Sequence, residues 1–383
     1  MKTLNVGIIG YQFMGKAHSN AWLKAPRFFD MDAKPVLKVA CGRREEPLRE
    51  FAQRWGWEEI ETDWKKVVAR DDIDIIDIAV PQHLHYDIAL AAAKAGKHVF
   101  LEKPMAMTLD QAREMAAAAN GSGVTHYLNH NYRRCPAVRL AKKLIDDGKI
   151  GDIYHWRGAY LQDWITDPDF PLTWHLQADK AGSGPHGDLN SHSVDLARYL
   201  VGEIAQVSAM TTRFIDERPL PDANAATFKG GTSGNGMGKV TVEDASFMTV
   251  MFKNGALGSF EASRFATGRK NYNFFEIYGS KGSLIFNLER MNELQFFSKD
   301  DPEEAQGFRT ILATEPVHDY IANWWPPGHI IGYEHEFVHA VVDFIDAVDK
   351  GTPIAPDFND GVKEMEILDA ALESAASGRS ITL

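Results

Sequence analysis

Apolar residues fall in two different rhythms along the chain, and the change of rhythm divides it. Over the first ~130 positions, short apolar runs alternate with stretches where apolar residues recur every three or four positions. The runs LNVGIIG, VLKVACG, IDIIDIAV, KHVFLEKP and VTHYLNH read as strands, the third and fourth stopped by Pro81 and Pro104. Between them, residues 14–25, PLREFAQRWG, HYDIALAAAKAG and LDQAREMAAAAN read as helices. The second closes on Gly56, the third on Gly96, and the fourth opens after Thr108 as N-cap. A parallel return needs a crossover long enough to hold a helix, so this alternation predicts a doubly wound parallel sheet over residues 1–132.

From Asp152 the strands lengthen and turn tightly. FMTVMFKNGALGSFEAS reverses at Asn254-Gly255, a two-residue hairpin signal, and NYNFFEIYGSKGSLIFNLER reverses around Gly279 to Gly282. Residues 133–383 are therefore expected to form an α+β domain on a largely antiparallel sheet. Within it, DERPLPDANAATFKGGTSGNGMGKV reads as a long mobile loop. Two helices, near 334–349 and 360–376, close the chain. The pattern shows no internal repeat and no low-complexity tract.

Charge and composition exclude some partners. The formal net charge of −12 argues against nucleic acid and anionic membrane surfaces, which require a basic face. Two cysteines, Cys41 and Cys135, cannot make a disulfide framework and fit a reducing interior. The chain enters a strand at once, without a secretory leader pattern, and has no apolar run of bilayer length. A soluble cytoplasmic protein is expected.

Candidate chemistry begins at GYQFMG. Gly10 and Gly15 have the spacing of the outer glycines in G-x-G-x-x-G, with Gln12 in the middle place. The turn follows the first strand, where a pyrophosphate meets a helix N-terminus, so Gly10, Gln12, Phe13, Met14 and Gly15 are cofactor candidates. After the second strand an acidic residue would bind the adenosine ribose, but Gly42 stands there. Arg43 and Arg44 follow and could pair with a 2′-phosphate, so NAD and NADP both remain open. Lys103 ends a parallel strand, where open sheets place ligands. Asp188 and His192 are four apart, approached by Gly182, Gly184 and Gly187. On a helix they would share a face, and a carboxylate beside an imidazole makes a general base, although an exposed helical pair is the simpler reading of the spacing alone. Tyr132, Arg134, Gln162, Asp163, Trp164, Trp174 and His175 offer polar groups and aromatic walls for a small-molecule substrate, and NWWPPGH adds Trp324 and Trp325.

A rival motif is His335-Glu336-Phe337-Val338-His339, formally H-E-x-x-H, with Glu364 as a feasible third zinc ligand. It would make the protein a metallopeptidase. Phe337, Val341, Phe344, Ile345 and Val348 make the same helix an amphipathic packing element, so no metal is expected. A cofactor-binding sensor without catalysis is a third class, needing no Asp188–His192 pair.

Glu-Lys-Pro after a strand, downstream of this turn, resembles the Gfo/Idh/MocA oxidoreductase family. GIIGYQFMGKAH with His18, AVPQHLHYDIALAAAKAGKHVFLEKP, AGSGPHGDLNSHSVDLARYLVG and IYGSKGSL extend the resemblance over essentially the whole chain. NYRRCPAV, YLQDW and the glycine-rich stretch resemble its sugar-oxidising branch. The resemblance implies an NAD(P)-dependent dehydrogenase that oxidises a ring hydroxyl of a sugar, glycoside or anhydrosugar to a ketone. An inositol or polyol dehydrogenase, with the same chemistry, is the alternative. It further implies Lys103, Asp188 and His192 as catalytic residues, with His192 taking the hydroxyl proton and Lys103 polarising the reacting oxygen. Pro81, His85, Glu102 and Lys103 are implied near the cofactor, Glu102 on the nicotinamide ribose or amide, with a cis bond before Pro104. A homo-oligomer, dimer or tetramer, is implied as well. Gln12 and Gly42 depart from the family pattern.

Overall fold

The computed structural model describes residues 2–221 and 233–383. It divides into two units. One holds residues up to Arg134 with 322–325 and 329–365; the other holds 135–321, 326–328 and 366–383.

In the first unit, strands β1 (Lys2–Ile9), β2 (Ala33–Cys41), β3 (Glu59–Glu61), β4 (Ile75–Ile78), β5 (His98–Leu101) and β6 (His126–Leu128) form one sheet in the order β3-β2-β1-β4-β5-β6. Every neighbouring pair in it is parallel. Val6, Ile8, Ile76, Ile78, Val99 and Leu101 are fully enclosed, as strands covered on both faces require. Helices α1 (Phe13–Phe28), α2 (Glu45–Trp55), α3 (Trp64–Val68), α4 (His85–Lys94) and α5 (Leu109–Ser122) make the crossovers. Their ends follow the predicted signals. Gly56 caps α2 in the left-handed region, and the Thr108 side chain accepts the Gln111 N–H at the start of α5.

The second unit begins with α6 (Pro136–Asp146), β7 (Ile153–Leu161), two single turns α7 (Ala178–Ala181) and α8 (Pro185–Asp188), and α9 (Asn190–Leu200). Then come β8 (Ile204–Thr212), β9 (Glu217–Pro221), β10 (Ser233–Lys239), β11 (Ala245–Phe252), β12 (Leu257–Ser263), β13 (Tyr272–Gly279), β14 (Gly282–Asn287), β15 (Glu293–Ser298) and β16 (Arg309–Leu312). Apart from β9 and β10, which pair with each other, these strands with β7 and β17 (Ile381–Thr382) build a nine-stranded sheet, β16-β15-β14-β13-β7-β12-β11-β8-β17. Its ladders are antiparallel except β7 with β12. Gly255 turns the predicted hairpin with φ +89°. Trp156 centres the core, its ring 5.2 Å from Phe275 and 5.9 Å from Phe260. Helices α6, α8 and α9 pack on this sheet. Met210, Phe247, Met251 and Leu257 stand exposed on it and are paired in register.

Two expectations change. The glycine-rich stretch is not all loop: β9 and β10 flank it and pair antiparallel, while its part at 222–232 lies outside the described residues. The second domain also does not run unbroken from 133 to 383. Residues 329–365 return to the first unit, bringing α10 (Tyr333–Lys350) and the start of α11 (Phe358–Ser377). The apolar stripe of α10 explains this. Phe344 lies 5.3 Å from Phe100 and 6.4 Å from Trp22, so the stripe is buried on the first unit's sheet layer.

Candidate active site

Close backbone approach requires the glycines of the first turn. Gly10 has φ +114°, and a Cβ there would lie 2.1 Å from the Ala79 carbonyl oxygen. A Cβ on Gly15 would lie 2.3 Å from the Gly10 oxygen. Gln12 caps α1 with its side chain exposed and making no cap bond, and no acidic residue stands in the first turn of the helix. The positive end of the α1 dipole is thus suited to a phosphate. At Gly42 the structure explains the missing acid, because a Cβ would lie 2.3 Å from the Tyr11 ring. Arg43 and Arg44 are exposed beside it, and Arg44 Nε reaches the Tyr11 hydroxyl at 3.4 Å. These residues fit a dinucleotide.

The loops after β4 and β5 are tied together. His85 is buried, with Nδ1 2.9 Å from the Pro104 oxygen and Nε2 2.8 Å from the Val80 oxygen, and burial holds its pKa below the ordinary value. Its ring nitrogens therefore brace these two loops. Pro81 opens the single turn that leads to His85. The Lys103–Pro104 bond is cis, and Lys103 is half-buried at the end of β5. Glu102, expected on the nicotinamide ribose or amide, turns inward: it is 5% exposed, and its Oε1 accepts from Asn129 Nδ2 at 2.6 Å and lies 2.9 Å from His18 Nε2.

In the second unit, Asp188 and His192 do not share one regular helix, since α8 ends at Asp188 and α9 starts at Asn190. Asp188 binds Arg264, which donates from Nη2 to Oδ2 at 2.5 Å. The Arg264 side chain is 1% exposed and lies over the Trp164 ring at 5.3 Å. Trp164 meets His175 at 5.6 Å, and His175 stacks on Trp174 at 3.7 Å. Trp164 Nε1 donates to Gln162 Oε1, while Gln162 Nε2 donates to Asn271. His192 is buried on α9, its ring 5.8 Å from that of Tyr160. The structure thus gathers Gln162, Trp164, Trp174, His175 and Asp188 around Arg264. Asp163 is turned elsewhere, toward Lys270 Nζ at 2.8 Å and the Gly268 N–H, and that cation holds its pKa down.

Arg134, expected at the substrate, is engaged in packing. Its guanidinium is buried in the first unit, with Nε 2.8 Å from Asp343 and Nη2 donating to the Ala355 oxygen. Tyr132, two residues earlier in the same turn, is 3% exposed. Trp324 packs on Phe28 and donates to His339 Nε2 at 2.7 Å, so it belongs to packing, while Trp325 meets the Phe28 edge but stays exposed. The H-E-x-x-H residues are likewise engaged. His339 receives Trp324 on Nε2 and donates from Nδ1 to the Arg134 oxygen, and Glu336 Oε2 accepts from Asn131. Burial lowers the His339 pKa to about 3 and raises that of Glu336 well above the carboxylate range. Neither His339 nitrogen is left for a metal.

Sequence reasoning missed Arg264, and also Arg218. The latter is fully buried and donates to the Asp167, Phe170 and Ile165 carbonyls, holding the loop that follows Trp164. Nothing local marks either arginine.

A six-stranded parallel sheet with a phosphate turn, joined in one chain to a substrate-type α+β unit, defines a dinucleotide-dependent oxidoreductase. The model of the oxidoreductase family with an NAD-binding Rossmann fold matches residues 4–130, and that of the GFO/IDH/MocA C-terminal domain matches residues 138–285. The chain belongs to the Gfo/Idh/MocA family. It is 45% identical to levoglucosan dehydrogenase of Pseudarthrobacter phenanthrenivorans, over 98% of this chain and 97% of that protein. Levoglucosan dehydrogenase in complex with NADH and levoglucosan superposes with a TM-score of 0.94 at 44% identity, covering 100% of this chain and 99% of that one. An oxidoreductase domain protein from Kribbella flavida superposes with a TM-score of 0.95 at 49% identity, with the same coverage. Among the described residues no helix is long and apolar enough to cross a membrane.

Proposed function

We propose that this enzyme oxidises a ring hydroxyl of an anhydrosugar of the levoglucosan type to a ketone. The observation that carries the reading is the cluster of Asp188, Arg264, Trp164, Trp174 and His175, in a chain alike over its whole length to a levoglucosan dehydrogenase. Flat aromatic faces bind the apolar face of a pyranose, while Gln162 and Asp188 suit its hydroxyls. Lys103 donates to the reacting oxygen and stabilises the developing alkoxide. His192 takes the hydroxyl proton, and Asp188, held by Arg264, orients the sugar and keeps a negative charge in the site. The dinucleotide, seated at Gly10, Gln12 and Gly15, supplies the hydride acceptor.

The net charge of −12 and two buried cysteines that form no disulfide support a cytoplasmic enzyme without nucleic-acid or membrane partners. The exposed apolar row of Met210, Phe247, Met251 and Leu257 supports a homo-oligomer. The test is reduction of NAD and of NADP, followed at the reduced nicotinamide band, with levoglucosan, D-glucose and myo-inositol. Levoglucosan is expected to be turned over best. Faster turnover of myo-inositol would give the polyol reading instead, and binding of NADH without turnover of any sugar would give the sensor.

A further inference from the structure

Polar groups enclosed in the first unit converge on His18. Its side chain is fully buried in α1, with Nδ1 2.8 Å from Asp77 Oδ1 and Nε2 2.9 Å from Glu102 Oε1. Asp77 interrupts the isoleucines of β4, and its Oδ2 accepts from Trp22 Nε1 at 2.7 Å. Glu102 Oε1 also accepts from Asn129 Nδ2 at 2.6 Å. Because both donors converge on that oxygen, Asn129 Nδ2 lies 3.3 Å from His18 Nε2. Phe100 and Phe337 close the ring from the sides.

With both carboxyls ionised, proton counting sets the state of this group. A neutral imidazole has one N–H, yet both ring nitrogens face carboxylate oxygens. The indole of Trp22 and the amide of Asn129 are donors too, so the oxygens they meet must accept. A neutral ring would set one lone pair against an anion and leave two buried carboxylates without a cation. A doubly protonated ring satisfies both carboxylate contacts, with the Asn129 amide left beside its Nε2–H at 3.3 Å as a fellow donor to the same oxygen. We infer that His18 is a fixed imidazolium and a positioning residue, clamping Asp77 and Glu102 so that the turn through Lys103 and Pro104 is held in register. Burial opposes the charge, but Asp77 and Glu102 outweigh it and raise the pKa to about 10. Glu102 is held below its ordinary range by His18 despite its own burial. The kinetic consequence rests on the proposed dehydrogenase reading; the charge state does not.

The experiment is long-range ¹H–¹⁵N spectroscopy of the full-length protein labelled in histidine, with the His18 signals assigned by their loss in His18→Gln. Both ring nitrogens are expected at imidazolium shifts at pH 8, and a neutral tautomer there overturns the proposal. Amine labelling of Lys103, read by mass spectrometry, should change ~3-fold or more in His18→Gln relative to other lysines. Unchanged labelling removes the positioning role without any reference to sugar turnover. In the same variant kcat should fall ~10-fold while the Kd for NADH stays within ~2-fold, the pattern of a lost geometry at the reacting centre. A wild-type kcat overturns the role. If His18→Gln does not fold, Glu102→Gln is used. With one carboxylate neutralised, His18 should titrate between pH 6 and 9 and kcat should acquire a matching pH dependence, and the absence of both overturns the proposal.

Discussion

Asp77 sits where only apolar residues belong, in the middle of a buried strand, and it is the visible trace of a charge network that the rest of the sequence hides. The network has a pH signature. The folded pKa of His18, about 10, lies above the ordinary 6.5, so its stabilising contribution is complete below pH 6.5 and is lost as pH rises through 10. His339 has the opposite sign. Its folded pKa of about 3 means that the unfolded chain takes up a proton first, so stability falls as pH drops from 6.5 toward 3. Thermal melts across these windows are expected to slope downward on both sides, with the alkaline slope reduced in His18→Gln and the acid slope reduced in His339→Gln. Catalysis is testable one residue at a time: His192→Ala or Lys103→Ala should lower kcat ~100-fold while NADH still binds, the usual scale for positioned acid–base groups. Near-normal turnover in His192→Ala would remove it as the base. Arg264→Met should weaken sugar binding by about 1.5 kcal/mol, the low end for a charge-assisted bond because Asp188 is 34% exposed, and an unchanged KM would refute the assignment. Glu102 and His85 could be named as cofactor candidates from the sequence, but their partners could not, because hydrogen bonds between residues far apart in sequence leave no local pattern.

At the scale of elements, the phosphate turn and the end of β2 form one structural decision. Tyr11, inside the turn, fills the space above Gly42, so an acid at position 42 and this aromatic exclude each other. The exposed Arg43 and Arg44 stand beside this edge. Arg43→Ala should weaken NADP more than NAD, by about 1–3 kcal/mol for a lost charge-assisted contact. Equal changes in the two dissociation constants would show that Arg43 does not read the 2′ position. The loop after Trp164 is an element too, held by Arg218 through three carbonyl groups. Arg218→Leu is expected to raise the sugar KM several-fold and leave NADH affinity unchanged. Strand and helix periods were plain in the sequence because each depends on neighbours within a turn or a pleat. The break at Leu189 between α8 and α9 was not, since spacing alone cannot show where one helix stops and the next begins.

For the whole molecule, the exposed row on the nine-stranded sheet makes a prediction about assembly. Phe247→Asp with Met251→Lys should reduce the mass in light scattering to that of one chain, with little change in melting temperature; a wild-type protein that is already monomeric would end the idea. The sequence by itself determined the two kinds of sheet, the cofactor turn, the dipeptide before Pro104 and the residues on which chemistry could be placed. Those are consequences of local stereochemistry, apolar periodicity and short motifs. Tertiary structure alone decided that α10 belongs with the first unit, and that the H-E-x-x-H helix is packing, its His339 closed by Trp324 and the Arg134 carbonyl. It alone gave Asp188 to Arg264 and Glu102 to His18. Buried charges must find partners wherever the fold brings them, and that pairing is set by three-dimensional proximity, which no spacing along the chain encodes.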